Sequence, residues 1–165
     1  MHGRWLRALS VALPLLAWTA STGCGPTLVD LDATLELVDV GSGWSQEAKG
    51  GQTRIVPTVS FRLAKRAPDT PLDRVSLNIT FRRQPGDEQF DDIYLQRVAI
   101  GPEGSEPLTV RADTGYTGEA PQTGADMLLH ADFRDLSVRI LARQSSGRWT
   151  ELYTGPIERR LLLAR

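Results

Sequence analysis

The clearest pattern in the chain is an alternation of apolar and polar residues in two runs, Ile55–Ala64 and Arg74–Arg83. Successive side chains of a β-strand point to opposite faces, so each run offers one apolar face and one polar face. A loop rich in proline and aspartate, residues 65–73, separates the two runs. We therefore predict that these strands form the central pair of a β-sandwich. Their apolar positions are Val59, Phe61, Leu63, Val75, Leu77, Ile79 and Phe81.

Shorter alternating runs predict the remaining strands. Residues 31–40 are predicted to form the first strand, and the parity of its apolar positions switches at Val38, as a β-bulge or a strand that changes sheets would produce. Residues 90–100 are predicted to form a strand in which Ile93 and Leu95 face inward. Further strands are predicted at residues 108–112 and 136–142, and residues 149–163 supply one broken strand or two short ones.

Glycine and proline mark the connections between these strands. Gly41–Gly51 is predicted to be a flexible loop that carries Trp44, and residues 113–126 form a long connection of the kind that is either functional or mobile. One or two helical turns are predicted within residues 125–133. Pro57 cannot donate a ladder hydrogen bond, so we expect it near a strand start or on a sheet edge.

These elements predict an all-β fold. About seven or eight short strands separated by Gly and Pro turns are typical of an antiparallel β-sandwich. An immunoglobulin-like or fibronectin-like arrangement is the first choice, and a small barrel is the alternative. The chain contains a single cysteine, so no disulfide can bridge the two sheets and packing must hold them together.

Composition and charge fit one globular domain. The chain has 165 residues, of which 41% are hydrophobic and 24% charged, and this balance excludes global disorder. The formal net charge is -1, and removal of residues 1–23 takes away Arg4 and Arg7 and no acid, which brings the net charge to about -3. Neither charge gives a field that would attract nucleic acid, so nucleic acid is not an expected partner.

The N-terminal segment has the pattern of an export signal. Arg4 and Arg7 precede an apolar run, residues 8–20. This run is shorter than the roughly twenty residues that a membrane-spanning helix needs, and it suits the apolar region of a secretory signal. Cys24, the only cysteine, follows a few small residues later. An unpaired cysteine in an exported protein needs an explanation, because it cannot form an internal disulfide.

The sequence S-T-G-C at residues 21–24 resembles the lipobox of bacterial lipoprotein signal peptides. The resemblance implies that Cys24 becomes the mature N-terminus and carries a diacylglyceryl group, whose acyl chains hold the protein at a membrane. In a Gram-negative cell it implies the outer membrane, facing the periplasm, because Gly25 stands where Asp implies inner-membrane retention. Ser21 departs from the lipobox, which prefers Leu at this position. The alternative is a conventional secretory signal with an incidental free cysteine.

Candidate catalytic groups are sparse. His130 is the only histidine outside the predicted signal, no G-x-S-x-G motif accompanies it, and a zinc site would lack ligands. Four acids cluster without the spacing of a compact calcium loop, so we interpret them as a solvated loop. A hydrolase that depends on them is the least favoured alternative. We expect no enzyme activity, no cofactor and no metal. The clustered acids are Asp87, Glu88, Asp91 and Asp92.

Aromatic residues near predicted loops supply a possible ligand or partner surface. Tyr116 lies in the loop Gly115–Pro121, and the other candidates are Trp44 and Trp149, with Tyr153 nearby. Aromatic side chains on loops stack on sugar rings or anchor a protein partner. The same rings also fill sandwich cores, and this packing role is the favoured interpretation.

The sequence thus divides into a signal peptide (residues 1–23), a lipidated tether (residues 24–30) and a β-sandwich domain (residues 31–165). The runs P-T-V-S-F-R-L and V-S-L-N-I-T-F and the turn G-P-E-G-S resemble small envelope domains of immunoglobulin-like type, a similarity too general to transfer a site residue. We expect a membrane-anchored cell-envelope lipoprotein that is a non-enzymatic interaction or structural module, with an envelope protein or a glycan as partner. The alternative is a carbohydrate- or small-ligand-binding domain that uses the loop aromatics.

Overall fold

The computed structural model describes residues 28–162. The predicted signal peptide and Cys24 lie outside the described residues. Nine strands and two short helices make up the described part of the chain. In chain order they are α1 (Leu31–Thr34), β1 (Leu35–Lys49), β2 (Gln52–Lys65), β3 (Arg74–Arg83), β4 (Glu88–Ala99), β5 (Leu108–Arg111), β6 (Tyr116–Gly118), α2 (Gly124–Leu129), β7 (Leu136–Arg143), β8 (Thr150–Pro156) and β9 (Leu161–Leu162).

The strands form two sheets around one core. One sheet has the spatial order β5, β2, β1, β9, with β6 also paired to β2, and the other has the order β4, β3, β7, β8. Every pairing is antiparallel except that of β1 with β9. The predicted all-β sandwich is confirmed. It has more strands than the seven or eight predicted because two of them, β6 and β9, are only three and two residues long.

The two strands that dominate the sequence pattern lie at the centre of the sandwich. β3 has the predicted bounds, and β2 extends beyond them at both ends. Each is an interior strand of its own sheet, so the two contribute to the core from opposite sides and do not pair with each other. All seven predicted apolar positions are buried: Val59, Phe61, Leu63, Val75, Leu77, Ile79 and Phe81.

The predicted first strand is confirmed at residues 35–40 and wrong at residues 31–34, and the predicted loop after it is wrong. The first residues of that strand form the helical turn α1, which Asp30 caps by accepting a hydrogen bond from a backbone N–H in its first turn. The strand begins at Leu35 and continues through the predicted loop as far as Lys49. Trp44 therefore lies in the middle of β1 and not in a loop.

Packing against the C-terminal segment explains Gly43 of β1. A Cβ atom at Gly43 would lie 2.8 Å from Leu162 Cδ2 and 2.9 Å from the carbonyl oxygen of Arg160. A side chain at this position would collide with the segment that leads into β9. The bulge predicted near Val38 is confirmed by a register shift that includes Asp39, whose φ is 55°.

Pro57 lies inside β2, and its predicted position at a strand start or sheet edge is wrong. Its partner in β1 is Trp44, whose N–H donates to the carbonyl oxygen of Arg160 (2.8 Å), so no ladder hydrogen bond joins this pair. On the other side of β2, pairing with β6 ends at Ile55 and pairing with β5 begins at Thr58. The proline nitrogen faces this gap, and no hydrogen bond is lost there.

The glycine-rich segment after β5 packs against the end of the sandwich where the β1–β2 turn lies. The N–H of Gly124 donates to Gln46 Oε1 (3.2 Å), which joins the start of α2 to β1. A capping box of Thr123 and Asp126 begins the helix, so the helical turn predicted in residues 125–133 is confirmed. Among residues 28–162, no helix is long and apolar enough to cross a membrane.

Candidate functional site

Trp44 is fully buried in an aromatic cluster formed by Trp44, Phe90, Tyr116 and Phe133. Its ring stacks on Tyr116 with the centroids 5.6 Å apart and meets Phe133 edge-on at 5.0 Å. The prediction that Trp44 belongs to a ligand or partner surface is therefore wrong. The reason is that β1 replaces the predicted loop and directs the indole into the core.

Tyr116 is half-buried and contacts three other rings. Besides Trp44, it meets Phe90 at 5.4 Å and Phe133 at 5.3 Å between centroids. Its hydroxyl donates to the carbonyl oxygen of Arg134 (3.4 Å). Tyr153 is also half-buried and packs against the core. The structure thus gives these two tyrosines a packing role, the interpretation that the sequence favours for the loop aromatics.

The acidic cluster makes local structural contacts. Two of its members form ion pairs with arginines of the adjoining strand, and the other two accept hydrogen bonds. These contacts tie the β3–β4 turn and the start of β4 to their neighbours. The contacts are Asp87 with Arg82, Glu88 with Arg83, Asp91 with the N–H of Thr114, and Asp92 with Asn78 and Thr80.

His130 lies at the exposed end of α2. Its Nδ1 accepts a hydrogen bond from the N–H of Asp132 (3.2 Å), and the Asp132 carboxylate is 3.8 Å away. In the part of the chain that the structure describes, no three His, Cys, Asp or Glu side chains come together in a group that could hold a metal ion.

Two exposed aromatic rings and one arginine meet on the outer face of the four-stranded sheet. We name them the outer patch: Tyr94, Arg143 and Trp149. The rings of Tyr94 and Trp149 meet edge to face with centroids 5.9 Å apart. The guanidinium carbon of Arg143 lies 4.5 Å from the Trp149 centroid, and Arg143 Nη2 donates to the Tyr94 hydroxyl (3.2 Å). Trp149 is thus the one predicted surface aromatic that is exposed.

Strand register brings the outer patch together. Asn78 of β3 lies opposite Tyr94 of β4, and Ser76 of β3 lies opposite Arg143 of β7. These positions point away from the core, because the alternate positions of β3 fill it. Trp149 directly precedes β8, the strand beside β7. The β7–β8 hairpin and the sequence-distant strand β4 therefore position one surface feature together, through their common neighbour β3.

Sequence reasoning missed Tyr94 and Arg143. A signal for Tyr94 existed, because the predicted inward positions of Ile93 and Leu95 leave it on the outer face. The same alternation in β7, whose buried positions end at Ala142, leaves Arg143 on the outer face, but no signal brings it beside Tyr94. Its place beside Tyr94 depends on both strands pairing with β3 in a particular register.

Hydrogen bonds hold the outer patch in place. A hydrogen bond with Ser76, followed by the one from Arg143, lowers the pKa of Tyr94 below its usual range. Arg143 Nε is buried and has no hydrogen-bond partner among the described residues, so the guanidinium is located by the indole and the phenol. A polar rim surrounds the patch: Asn78 donates to Asp92 (2.6 Å), and Arg139 pairs with Glu151.

The outer patch has the chemistry of a binding surface. Trp, Tyr and Arg are the residue types that most often dominate the energetics of protein interfaces, where a polar rim encloses them. The two rings are also amphipathic, with an apolar body and a polar tip. Because Tyr94 and Arg143 lie on paired strands and Trp149 directly precedes one, these side chains need little ordering on binding.

Comparison of the chain with family models, with curated proteins and with solved structures finds no match. The function proposed below therefore rests on the residues and geometry of this chain.

The two tryptophans of the sandwich are expected to respond differently to truncation. Trp44→Ala should lower the free energy of unfolding by about 3–5 kcal/mol, since it leaves a cavity in the core. Trp149→Ala should lower it by at most about 1 kcal/mol, the size of an exposed cation–π contact. Urea unfolding of both variants measures the difference. Equal losses would contradict the assignment of Trp44 to the core and Trp149 to the surface.

Acid is expected to destabilise the fold through carboxylates whose pKa is lowered. A hydrogen bond from Arg54 lowers the pKa of Glu47, and one from Arg159 lowers the pKa of Asp135. Such groups stabilise the folded state above their unfolded pKa, about 4, and this contribution is lost as the pH falls through the lower folded value. The Tm should therefore fall below about pH 4. The fall should be shallower in Glu47→Gln, and a Tm insensitive to acid would refute the assignment.

Proposed function

We propose that this chain is a membrane-anchored cell-envelope lipoprotein whose β-sandwich is a non-enzymatic interaction module. Lipid on Cys24 attaches the protein to the membrane, and the outer patch is its contact surface. The protein is exported, and in a Gram-negative cell it lies at the outer membrane and faces the periplasm. The sandwich serves as a rigid frame that presents the patch.

The outer patch is the observation that carries this proposal. It combines two exposed aromatic rings with an arginine that contacts both of them. The groups are held before any partner arrives, since Arg143 lies against Trp149 and donates to Tyr94. Pre-ordered aromatic and arginine side chains are suited to binding, because less conformational entropy is lost when a partner covers them.

The contacts of the acidic residues support a binding role over a catalytic one. A general acid or base needs a carboxylate that is available to a substrate. Asp87 and Glu88 pair with arginines, and Asp92 accepts hydrogen bonds from Asn78 and Thr80. These contacts favour a structural role for the cluster over the role that the hydrolase alternative requires.

A carbohydrate-binding module is the second candidate, favoured by the exposure of Trp149 and the hydrogen-bonding groups of the rim. Its weakness is geometric. The planes of Tyr94 and Trp149 are inclined at 76°, so the two rings do not form one flat platform on which a sugar chain could lie. Binding of an envelope polysaccharide that is lost in Trp149→Ala would decide for this candidate.

The anchor is tested by Cys24→Ser. Without the sulfur no diacylglyceryl group can be attached, so the variant should lose fatty-acid labelling and should move from the membrane fraction to the soluble fraction. Ser21→Leu is the matched control, because it restores the preferred residue of the lipobox and should keep both properties. Labelling and fractionation that are unchanged in Cys24→Ser would remove the anchor from the proposal.

A further inference from the structure

The chain enters the sandwich at the turn between β7 and β8. The N–H of Val29 donates to Gln144 Oε1 (2.8 Å). The two methyl groups of Leu28 pack on Gly147. They lie 3.6 and 3.7 Å from the position that a Cβ atom at residue 147 would occupy. The tether is therefore held at a defined place, against a turn residue two positions before Trp149.

The tether beyond this point is short. Four residues of chain lead from Cys24 to Leu28, and a fully extended chain spans at most about 3.5 Å per residue, or about 14 Å in total. On the proposed function, with lipid attached to Cys24, the β7–β8 turn is kept within about that distance of the membrane surface. The sandwich thus has a membrane-facing end.

Exposed apolar side chains are concentrated at this end. Four large hydrophobic residues are exposed among the described residues. Leu28 (53% exposed) lies on the β7–β8 turn, and Tyr94 (43%) and Trp149 (36%) are the rings of the outer patch. The fourth, Leu129 (83%), ends α2, which packs near the β1–β2 turn at the opposite end.

We infer that the outer patch and Leu28 contact the lipid–water interface of the membrane that holds the anchor. This inference rests on the proposed function and names the partner of the patch. Trp and Tyr are the side chains most enriched at that interface, where the ring meets acyl chains and the polar tip meets headgroups. Arg143 holds its guanidinium over the indole, 4.5 Å from the ring centroid, where the same group can meet headgroups.

Charge near the patch favours aromatic contact over electrostatic attraction. Arg143 and Arg148 are the basic residues next to the entry point, and Asp30, Asp32 and Glu151 lie beside them. The two signs nearly balance, so the surface around the tether entry has no polybasic character of the kind that binds anionic lipid. Contact should therefore depend only weakly on the fraction of anionic lipid.

Tryptophan fluorescence can report this contact selectively. Trp5 and Trp18 lie in the predicted signal peptide, which leaves Trp44 and Trp149 in the mature chain. Trp44 is fully buried and is an internal reference. The lipidated protein is purified from membranes and reconstituted into vesicles of phosphatidylethanolamine and phosphatidylglycerol that contain a lipid brominated near its headgroup. We expect bromine to quench the emission of Trp149.

Two variants control the experiment. Trp149→Phe should abolish the quenching while its remaining emission, from Trp44, is unchanged. Leu129→Ser removes an exposed apolar residue at the opposite end and should leave the quenching intact. Thermal unfolding of both variants shows that the fold is retained.

The outcomes separate the inference from the proposal on which it rests. An acylated protein whose Trp149 is not quenched overturns the inference and leaves the anchored interaction module standing. A photoreactive residue at position 149 that cross-links to an envelope protein in intact cells also overturns it, and assigns the patch to a protein partner. If the protein purified from membranes carries no acyl group, the proposed anchor is removed, and the inference that rests on it falls as well.

Discussion

The hairpin of β1 and β2 is the constraint on which the rest of the sandwich depends. The pairing runs from Leu35 opposite Lys65 at one end to Lys49 opposite Gln52 at the other. Every other strand of this sheet pairs with either β1 or β2. The hairpin also places Trp44 of β1 in the aromatic cluster. Tyr116 links this ring to Phe90 of the opposite sheet. With no disulfide available, these contacts and the alternating core hold the two layers together.

The β-sandwich has two ends with different surfaces. The end that contains α2 and the aromatic cluster is closed by internal packing, with most of its rings turned toward the core. The other end receives the tether and carries the outer patch, whose rings remain exposed although their positions are fixed by strand register. On the proposed function, attachment and contact therefore lie at the same end. For an anchored protein, this arrangement restricts the orientation of the domain as well as its location.

Strict alternation made β3 predictable to the residue, since burial of one face determines its pattern alone. The second part of β1, residues 41–49, was not predictable, because its glycines are typical of a loop. The reason for a glycine at position 43 is the packing of Leu162, more than a hundred residues later in the chain. The same distinction applies to the site. The outward direction of Tyr94 follows from local alternation, whereas its contact with Arg143 and Trp149 depends on the pairing of three strands. Sequence patterns indicate which face of a strand each side chain lies on. Which side chains become neighbours on that face is determined by the tertiary structure.

The most direct test of the account is amide hydrogen exchange of the lipidated protein in vesicles compared with an unacylated form in solution. In vesicles, exchange should be slower at the β7–β8 turn and at residues 28–30, with no change in α2. Throughout β1, including residues 41–47, exchange should be slow in both forms. Protection of α2 by the vesicles, or equal exchange at the β7–β8 turn in the two forms, would contradict the proposed orientation.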